Sequence, residues 1–342
     1  MRYRLLGRSG LRVAELCLGT MTFGTETGWG ADRAECQAMF EAYADLGGNF
    51  IDTANGYAGG TSERYVGELI ASDRDRWVVA TKYTMSRPAT HPNAGGNQRK
   101  NLVQSLEASL RRLDTDRIDL YFVHAWDFIT PVEEVMRGLD DLVRAGKVLY
   151  VGVSNAPAWA IARANTLAEL RGWSPFVGLQ IEYSLVERFA DRELLPMAEA
   201  LGLGITAWSP LGAGLLTGKY SARTGASDMP RLRLDYTKAT PVNERTLGIA
   251  AAVGEVGGAT GATPAQVALA WVLRRGAIPL LGARTAAHLK ENLGCLGVRL
   301  DDASVARLEA ASRVDAEYPQ RFLDRPNVRA AVSAGFADRL DA

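Results

Sequence analysis

Apolar residues along this 342-residue chain alternate between two rhythms. Short runs, nearly apolar throughout, occupy 15–18, 49–51, 77–80, 118–123, 148–153, 176–179, 203–207 and 277–281. Runs without in–out alternation are the pattern of parallel strands covered on both faces. Between them, apolar residues recur at helical spacing over 34–46, 101–113, 131–144, 157–170, 192–201, 264–274 and 286–293. Thr130-Pro131 reads as a cap with a proline in the first helical turn, and Gly146 as the stop of that helix. Eight such strands joined by crossovers predict one parallel sheet, and closed on itself that sheet is a (β/α)8 barrel. The open doubly wound alternative carries a Gly-rich fingerprint after its first strand, and none is present. The string from Gly212 to Gly218 has its last glycine one place late for that fingerprint. It also lacks the earlier glycine and the hydroxyl residue of a P-loop around Gly218-Lys219.

Three segments fall outside the repeat. Residues 1–13, with a turn at 7–10, predict a hairpin capping the barrel bottom. Residues 84–97 read as a long loop after the third strand. Residues 211–245 form the longest irregular stretch, of the kind that makes lids and binding loops.

Composition changes this picture little. Hydrophobic residues make up 47% and charged residues 23%, an ordinary balance for a globular chain with a large core. Basic and acidic residues cancel, 39 against 39, so nucleic acid is not the expected partner. No run of 18 apolar residues predicts a membrane span, and arginines at 2, 4, 8 and 12 break up any signal-peptide core. Cys17, Cys36 and Cys295 form no CxxC pair and read as free, core-packed thiols in a reducing cytoplasm.

Chemistry in a (β/α)8 barrel sits where strands end and βα loops begin. Asp52 follows the second run, with Tyr57 five residues on. Thr81 and Lys82 follow the third, and His124 the fourth. The fifth ends in Ser154-Asn155, the sixth in Gln180, the seventh in Trp208-Ser209 and the eighth in Gly282-Ala283-Arg284. A tyrosine titrates near pH 10 in water, and a nearby ammonium favours its phenolate. A carboxylate beside that lysine keeps it charged and aimed. Asp52, Tyr57, Lys82 and His124 therefore form a candidate general-acid assembly for protonating an oxygen that is becoming an alkoxide. The partner reaction is hydride delivery to the same carbon, which needs a nicotinamide or a flavin.

In this order these residues resemble the aldo-keto reductase superfamily. The matching stretches are Leu18-Gly-Thr-Met-Thr-Phe-Gly24, Phe50-Ile-Asp-Thr-Ala-Asn-Gly-Tyr57, Ala80-Thr-Lys82, Asp119-Leu-Tyr-Phe-Val-His124 and Gly146-Lys-Val-Leu-Tyr-Val-Gly-Val-Ser-Asn155. Gln180-Ile-Glu-Tyr-Ser184, Ala207-Trp-Ser-Pro-Leu211 and Gly282-Ala-Arg-Thr285 through Glu291-Asn292 continue the series. The resemblance implies one barrel domain over 1–342, with its core at about 3–298 and a C-terminal segment at 299–342. It implies Tyr57 as the acid, Lys82 and Asp52 as the pair that sets its pKa, and His124 as the residue orienting the carbonyl oxygen. Ser154, Asn155 and Gln180 would hold the nicotinamide carboxamide, with Trp208 stacked on the ring where relatives often have tyrosine. Gly19, Thr20 and Met21, with Asp52 beside them, would line the ribose. Ser209, Leu211, Gly214 and Lys219 would follow the pyrophosphate, and Gly282, Arg284, His288, Glu291 and Asn292 the adenosine half.

NADPH is the expected cofactor, because a guanidinium at Arg284 suits a 2′-phosphate. Arg284 replaces the Lys-Ser pair of many relatives, which leaves NADH open. Trp29, Trp126-Asp127 and residues 85–87 are expected at the substrate mouth, with Tyr57 and His124 at its base. The segments after Gln180 and Ala207 look more like the bacterial branch related to potassium-channel β subunits than the steroid-reducing branch. The favoured reading is reversible reduction of a small-molecule aldehyde or ketone. A cofactor-sensing regulatory module on the same barrel is the second. A metal hydrolase built on His91, His124 and His288 with Asp52 and Glu182 is the third, against which the absence of HxxxH spacing argues.

Overall fold

A computed structural model describes residues 1–85, 91–219, 240–336 and 339. An antiparallel hairpin comes first, β1 (Tyr3–Leu5) and β2 (Arg12–Ala14), paired from Tyr3↔Ala14 to Leu5↔Arg12. Eight parallel strands follow: β3 (Cys17–Gly19), β4 (Phe50–Asp52), β5 (Val78–Tyr83), β6 (Ile118–Val123), β7 (Val148–Ser154), β8 (Phe176–Glu182), β9 (Gly204–Trp208) and β10 (Ile278–Leu281). They close into a barrel in chain order, with β10 returning to β3. Each of the eight expected runs is one of these strands. Several strands continue past their apolar run, β5 through Lys82 and β8 through Gln180, because backbone pairing does not depend on side-chain polarity.

The hairpin plugs the barrel at the N-terminal ends of the strands, as expected. Gly7 (φ 58°) makes this possible. A Cβ there would lie 2.4 Å from the Val177 carbonyl oxygen and 2.6 Å from the Gly204 nitrogen, so only glycine fits. Inside the barrel Leu6, Val13, Phe50, Val78, Ala80, Leu120, Phe122, Ile278 and Leu280 form one core. The Phe122 ring lies against Gly152, where a Cβ would approach it to 2.5 Å. A second, larger core fills the layer between strands and helices, and it includes Cys36 and Cys295. All three cysteines are buried and free.

The helices are α1 (Arg33–Asp45), α2 (Thr61–Ile70), α3 (Arg99–Leu113), α4 (Val132–Arg144), α5 (Ala158–Arg171), α6 (Leu194–Leu201), α7 (Glu244–Thr260), α8 (Pro264–Arg274), α9 (Ala286–Leu293), α10 (Asp302–Ser312), α11 (Gln320–Leu323) and α12 (Pro326–Val332). The seven expected helices are present, with ends displaced by up to two residues. In α4 the expected cap is different. Pro131 itself is the cap residue, and the Thr130 hydroxyl donates to Asp127 (2.7 Å) rather than to the helix end. Helices α2, α7, α10, α11 and α12 were not anticipated. Glycines lower the intrinsic helicity of α7, but its buried Ile249, Val253 and Val256 dock on the barrel and override that preference. The stretch read as irregular over 211–245 thus ends in the first turn of α7, and 220–239 lies outside the described residues.

The C-terminal segment runs along the outside. Arg307 of α10 pairs with Glu255 of α7 (2.7 Å), and Gln320 Nε2 donates to the Arg192 carbonyl (3.1 Å). Among the described residues no helix is long and apolar enough to cross a membrane.

Candidate active site

The C-terminal ends of the strands open into a cavity of about 560 Å³. Its base is an arrangement of charges taken from three neighbouring elements. Asp52 ends β4, Lys82 is the penultimate residue of β5, and Tyr57 sits in the turn between β4 and α2. Lys82 is fully buried and Asp52 nearly so. The Lys82 ammonium donates to Asp52 Oδ2 (2.6 Å), to the Thr53 carbonyl (2.8 Å) and to Tyr57 Oη (3.2 Å), which uses all three of its protons. Asp52 Oδ1 accepts from Gln180 Nε2 (2.8 Å). Burial opposes the charge on Lys82, but the Asp52 carboxylate and the Tyr57 oxygen outweigh it and raise its pKa above the ordinary lysine value. A fixed positive charge therefore stands against the Tyr57 hydroxyl.

His124 follows β6 directly, and its ring meets that of Tyr57 edge-on at 6.1 Å. Burial, and then the Lys82 charge, lower its pKa to about 3. Its Nδ1 is buried without a hydrogen-bond partner. The imidazole is thus neutral at the cavity floor. Its carbon and proton resonances are expected to stay constant from pH 5 to pH 8, and a titration near the ordinary value of about 6.5 would contradict this environment. Because the folded-state pKa is depressed, the stabilisation is complete above the unfolded value and declines as pH falls from about 6.5 toward 3.

Around this base the structure brings together most of the residues singled out in the sequence. Gly19, Met21, Trp29, Asp52, Tyr57, His124, Asn155, Gln180, Trp208, Ser209, Leu211, Gly214, Lys219, Gly282, Arg284, His288, Glu291 and Asn292 all line the cavity. Asn155 and Ser209 take left-handed backbone conformations (φ 48° and 54°) at their strand ends. The Asn155 amide donates to the His124 carbonyl (2.8 Å) and accepts from Trp208 Nε1 (3.3 Å), so three strand ends are linked through one side chain. Ser154 Oγ is buried without a partner.

Five expected residues, Thr20, Lys82, Ser154, Trp126 and Asp127, do not line the cavity, although Lys82 bonds Tyr57 Oη, which does. Thr20 is fully buried, with its hydroxyl donating to the Asp52 carbonyl (2.9 Å). Ser154 is fully buried at the end of β7. Trp126 is packed in the outer core, and its backbone N–H donates to the Asn155 carbonyl (3.1 Å). Asp127 takes up a structural post, accepting from the backbone of Asn97, Ile129 and Thr130. Met85 lines the cavity, whereas Ser86 and Arg87 lie outside the described residues. Sequence reasoning missed Asn55, Thr22 and Thr27, and also Ala265 and Leu269 of α8. Asn55 lies within the matched stretch ending at Tyr57, a signal that was available. The apolar pair on α8 gave none. The three histidines are not gathered, and no group of three potential metal ligands occurs among the described residues.

A profile of the Aldo/keto reductase family matches residues 15–313. The chain belongs to that family. It is accordingly a nicotinamide-dependent oxidoreductase of carbonyl compounds, on the family's barrel. Curated relatives agree along nearly the whole chain. A norsolorinic acid reductase of Aspergillus flavus is 39% identical over 336 residues, covering 94% of this chain and 84% of the relative. A norsolorinic acid reductase of Emericella nidulans is 40% identical over 328 residues, covering 92% and 82%. An aryl-alcohol dehydrogenase of Pestalotiopsis microspora is 38% identical over 336 residues, covering 94% and 85%.

Proposed function

We propose that this aldo/keto reductase reduces an aryl aldehyde or ketone with NADPH, and that Tyr57 is the general acid. The observation that carries the reading is the Lys82 ammonium, held by Asp52 and the Thr53 carbonyl and spending its third proton on Tyr57 Oη. The cofactor supplies hydride to the carbonyl carbon. This chain's residues handle the oxygen. Tyr57 Oη donates its proton as charge develops there, and the adjacent ammonium stabilises the phenolate left behind. Neutral His124 offers a hydrogen bond to the same oxygen without competing for the proton. In the oxidative direction the same phenolate serves as base.

The donor set fits a nicotinamide dinucleotide. The Asn155 and Gln180 side chains suit a carboxamide, and Trp208 supplies an indole face. At the far end of the cavity burial and then the charges of Lys219 and Arg284 lower the His288 pKa, which marks a positive patch. That patch supports NADPH over NADH, since a 2′-phosphate is dianionic and a guanidinium binds it with charge-assisted hydrogen bonds. The walls formed by Trp29, Tyr57, Met85 and Trp208 support a flat aromatic substrate. The relatives' names, a norsolorinic acid reductase and an aryl-alcohol dehydrogenase, point the same way.

The test is loss of NADPH absorbance with a reactive aromatic aldehyde. Turnover is expected with NADPH and much less with NADH at equal concentration. Arg284→Ala is expected to raise KM for NADPH about 10- to 100-fold, the worth of a charge-assisted phosphate contact, and to leave KM for NADH unchanged. Equal loss with both cofactors would place Arg284 elsewhere than on the 2′-phosphate.

A further inference from the structure

The turn that carries Tyr57 is held in an uncommon shape. Ala58, Gly59 and Gly60 have consecutive positive φ values of 45°, 61° and 97°, and Ala58 has no glycine freedom. A left-handed stretch of this kind persists only where its surroundings over-determine it. The turn's far end enters α2 through Gly60, which supplies no side-chain cap. What fixes that end is the pair just beyond it, Ser62 and Glu63, both fully buried and neither lining the cavity.

Ser62 Oγ donates to the Thr20 carbonyl (2.8 Å). With its one proton placed there, the Thr53 hydroxyl is left to donate to Ser62 Oγ at 2.9 Å. Thr20 Oγ1 in turn donates to the Asp52 carbonyl (2.9 Å). Glu63 points the other way. Its Oε1 accepts from the Thr81 hydroxyl (2.6 Å) and its Oε2 from Arg112 Nε of α3 (2.6 Å). A buried carboxylate paired in this way adds little net stability compared with an apolar group of the same size. The partners, however, are telling. Thr53 is the residue after Asp52, and its carbonyl holds Lys82. Thr81 is the residue before Lys82. The two anchors therefore tie the first turn of α2 to the chain beside Lys82, which faces Tyr57, and beside Asp52, which holds Lys82.

We propose that Ser62 and Glu63 are positioning residues for Tyr57, fixing the exit of its turn so that the hydroxyl stays on the Lys82 ammonium. The inference rests on the reading of Tyr57 as general acid. Its mode of action is geometric, because a misplacement of about 1 Å in a reacting group costs on the order of 10²-fold in rate.

A double-mutant cycle tests it. The readouts are the single-turnover rate of NADPH oxidation by an aromatic aldehyde per NADPH-binding site, the Kd for NADPH by tryptophan fluorescence, and Tm. Ser62→Ala is expected to lower the rate about tenfold, or more, with Kd unchanged. In a Tyr57→Phe background the same substitution is expected to cost nothing further, since the group it positions is gone. A rate per site at the wild-type level, or an equal fold-loss in both backgrounds, would overturn the proposal and leave Ser62 a purely structural residue. Should Ser62→Ala fail to fold, Glu63→Gln takes its place in the cycle with the same expectations and the same overturning results. Full turnover in Tyr57→Phe alone would instead remove the general acid and the positioning role with it, a pattern distinct from either result above.

Discussion

Tyr57→Phe is expected to lower kcat for aldehyde reduction by about 10²–10⁴-fold, the usual worth of a positioned proton donor, while NADPH binds as before. The separation of the two effects follows from where the hydroxyl lies. Tyr57 Oη faces Lys82 at 3.2 Å on the cavity floor, whereas most of the residues suited to the dinucleotide come from β7 to β10 and the segments that follow them. Removing one oxygen keeps the ring that lines the wall and its edge contact with His124. It leaves the ammonium with Asp52 and the Thr53 carbonyl still in place, so the fold is not expected to suffer. The measurement is steady-state NADPH consumption alongside a fluorescence titration of NADPH. A variant that binds NADPH and still turns over near the wild-type rate would show that the proton comes from another group, with His124 the nearest alternative. Its depressed pKa makes it a poor acid at neutral pH, which is why the prediction is placed on Tyr57.

Lys82→Met is expected to abolish turnover to at least the same degree and, unlike Tyr57→Phe, to destabilise the protein by about 3–5 kcal/mol at pH 7. The cause is what remains. Asp52 stays buried with Gln180 as its one side-chain donor, and its Oδ2, 2.6 Å from the ammonium in the wild type, faces a thioether. A charge desolvated for a partner that is gone costs more than the pair was worth. The pH dependence separates this from a simple packing loss. Lys82 has a folded-state pKa raised above its ordinary value, so its stabilisation is present below the unfolded lysine pKa of about 10.4 and is lost as pH rises through the folded value. Wild-type stability is therefore expected to fall in alkali by an amount that Lys82→Met does not show. Asp52→Asn added to Lys82→Met should recover part of the variant's deficit, because it removes the buried charge left without its partner. Urea denaturation across the pH range reads both. A deficit below about 1 kcal/mol at pH 7 would mean that Asp52 is solvated or paired once the lysine is gone.

Much of this architecture is legible in the sequence. The strands are readable because those of a closed parallel barrel are covered on both faces, and few other settings select a nearly continuous apolar run such as 118–123, broken only at Asp119. The residues at the ends of those runs then had to share one rim. Helices α7 and α10 are less readable. Their stability comes from docking, as with Val253 and Val256 of α7 and Leu308 of α10, and the glycines and exposed polar residues around them mask a helical pattern. Trp126 was less readable. A tryptophan two residues past His124 reads as a substrate wall, and only its packing in the closed fold places its side chain in the outer core.

The sequence by itself determined the barrel, its chain order and the placing of Asp52, Tyr57, Lys82 and His124 at one end of it as candidates, because strand periodicity and strand-end position are properties of local pattern. It could not say that Lys82 gives its protons to Asp52, Thr53 and Tyr57, that His124 is desolvated enough to stay neutral, or that Ser62 and Glu63 brace the Tyr57 turn. Those are relations between residues brought together from separate strands and helices. Hydrogen-bond geometry and burial arise only when the sheet closes, and the tertiary structure alone decides them.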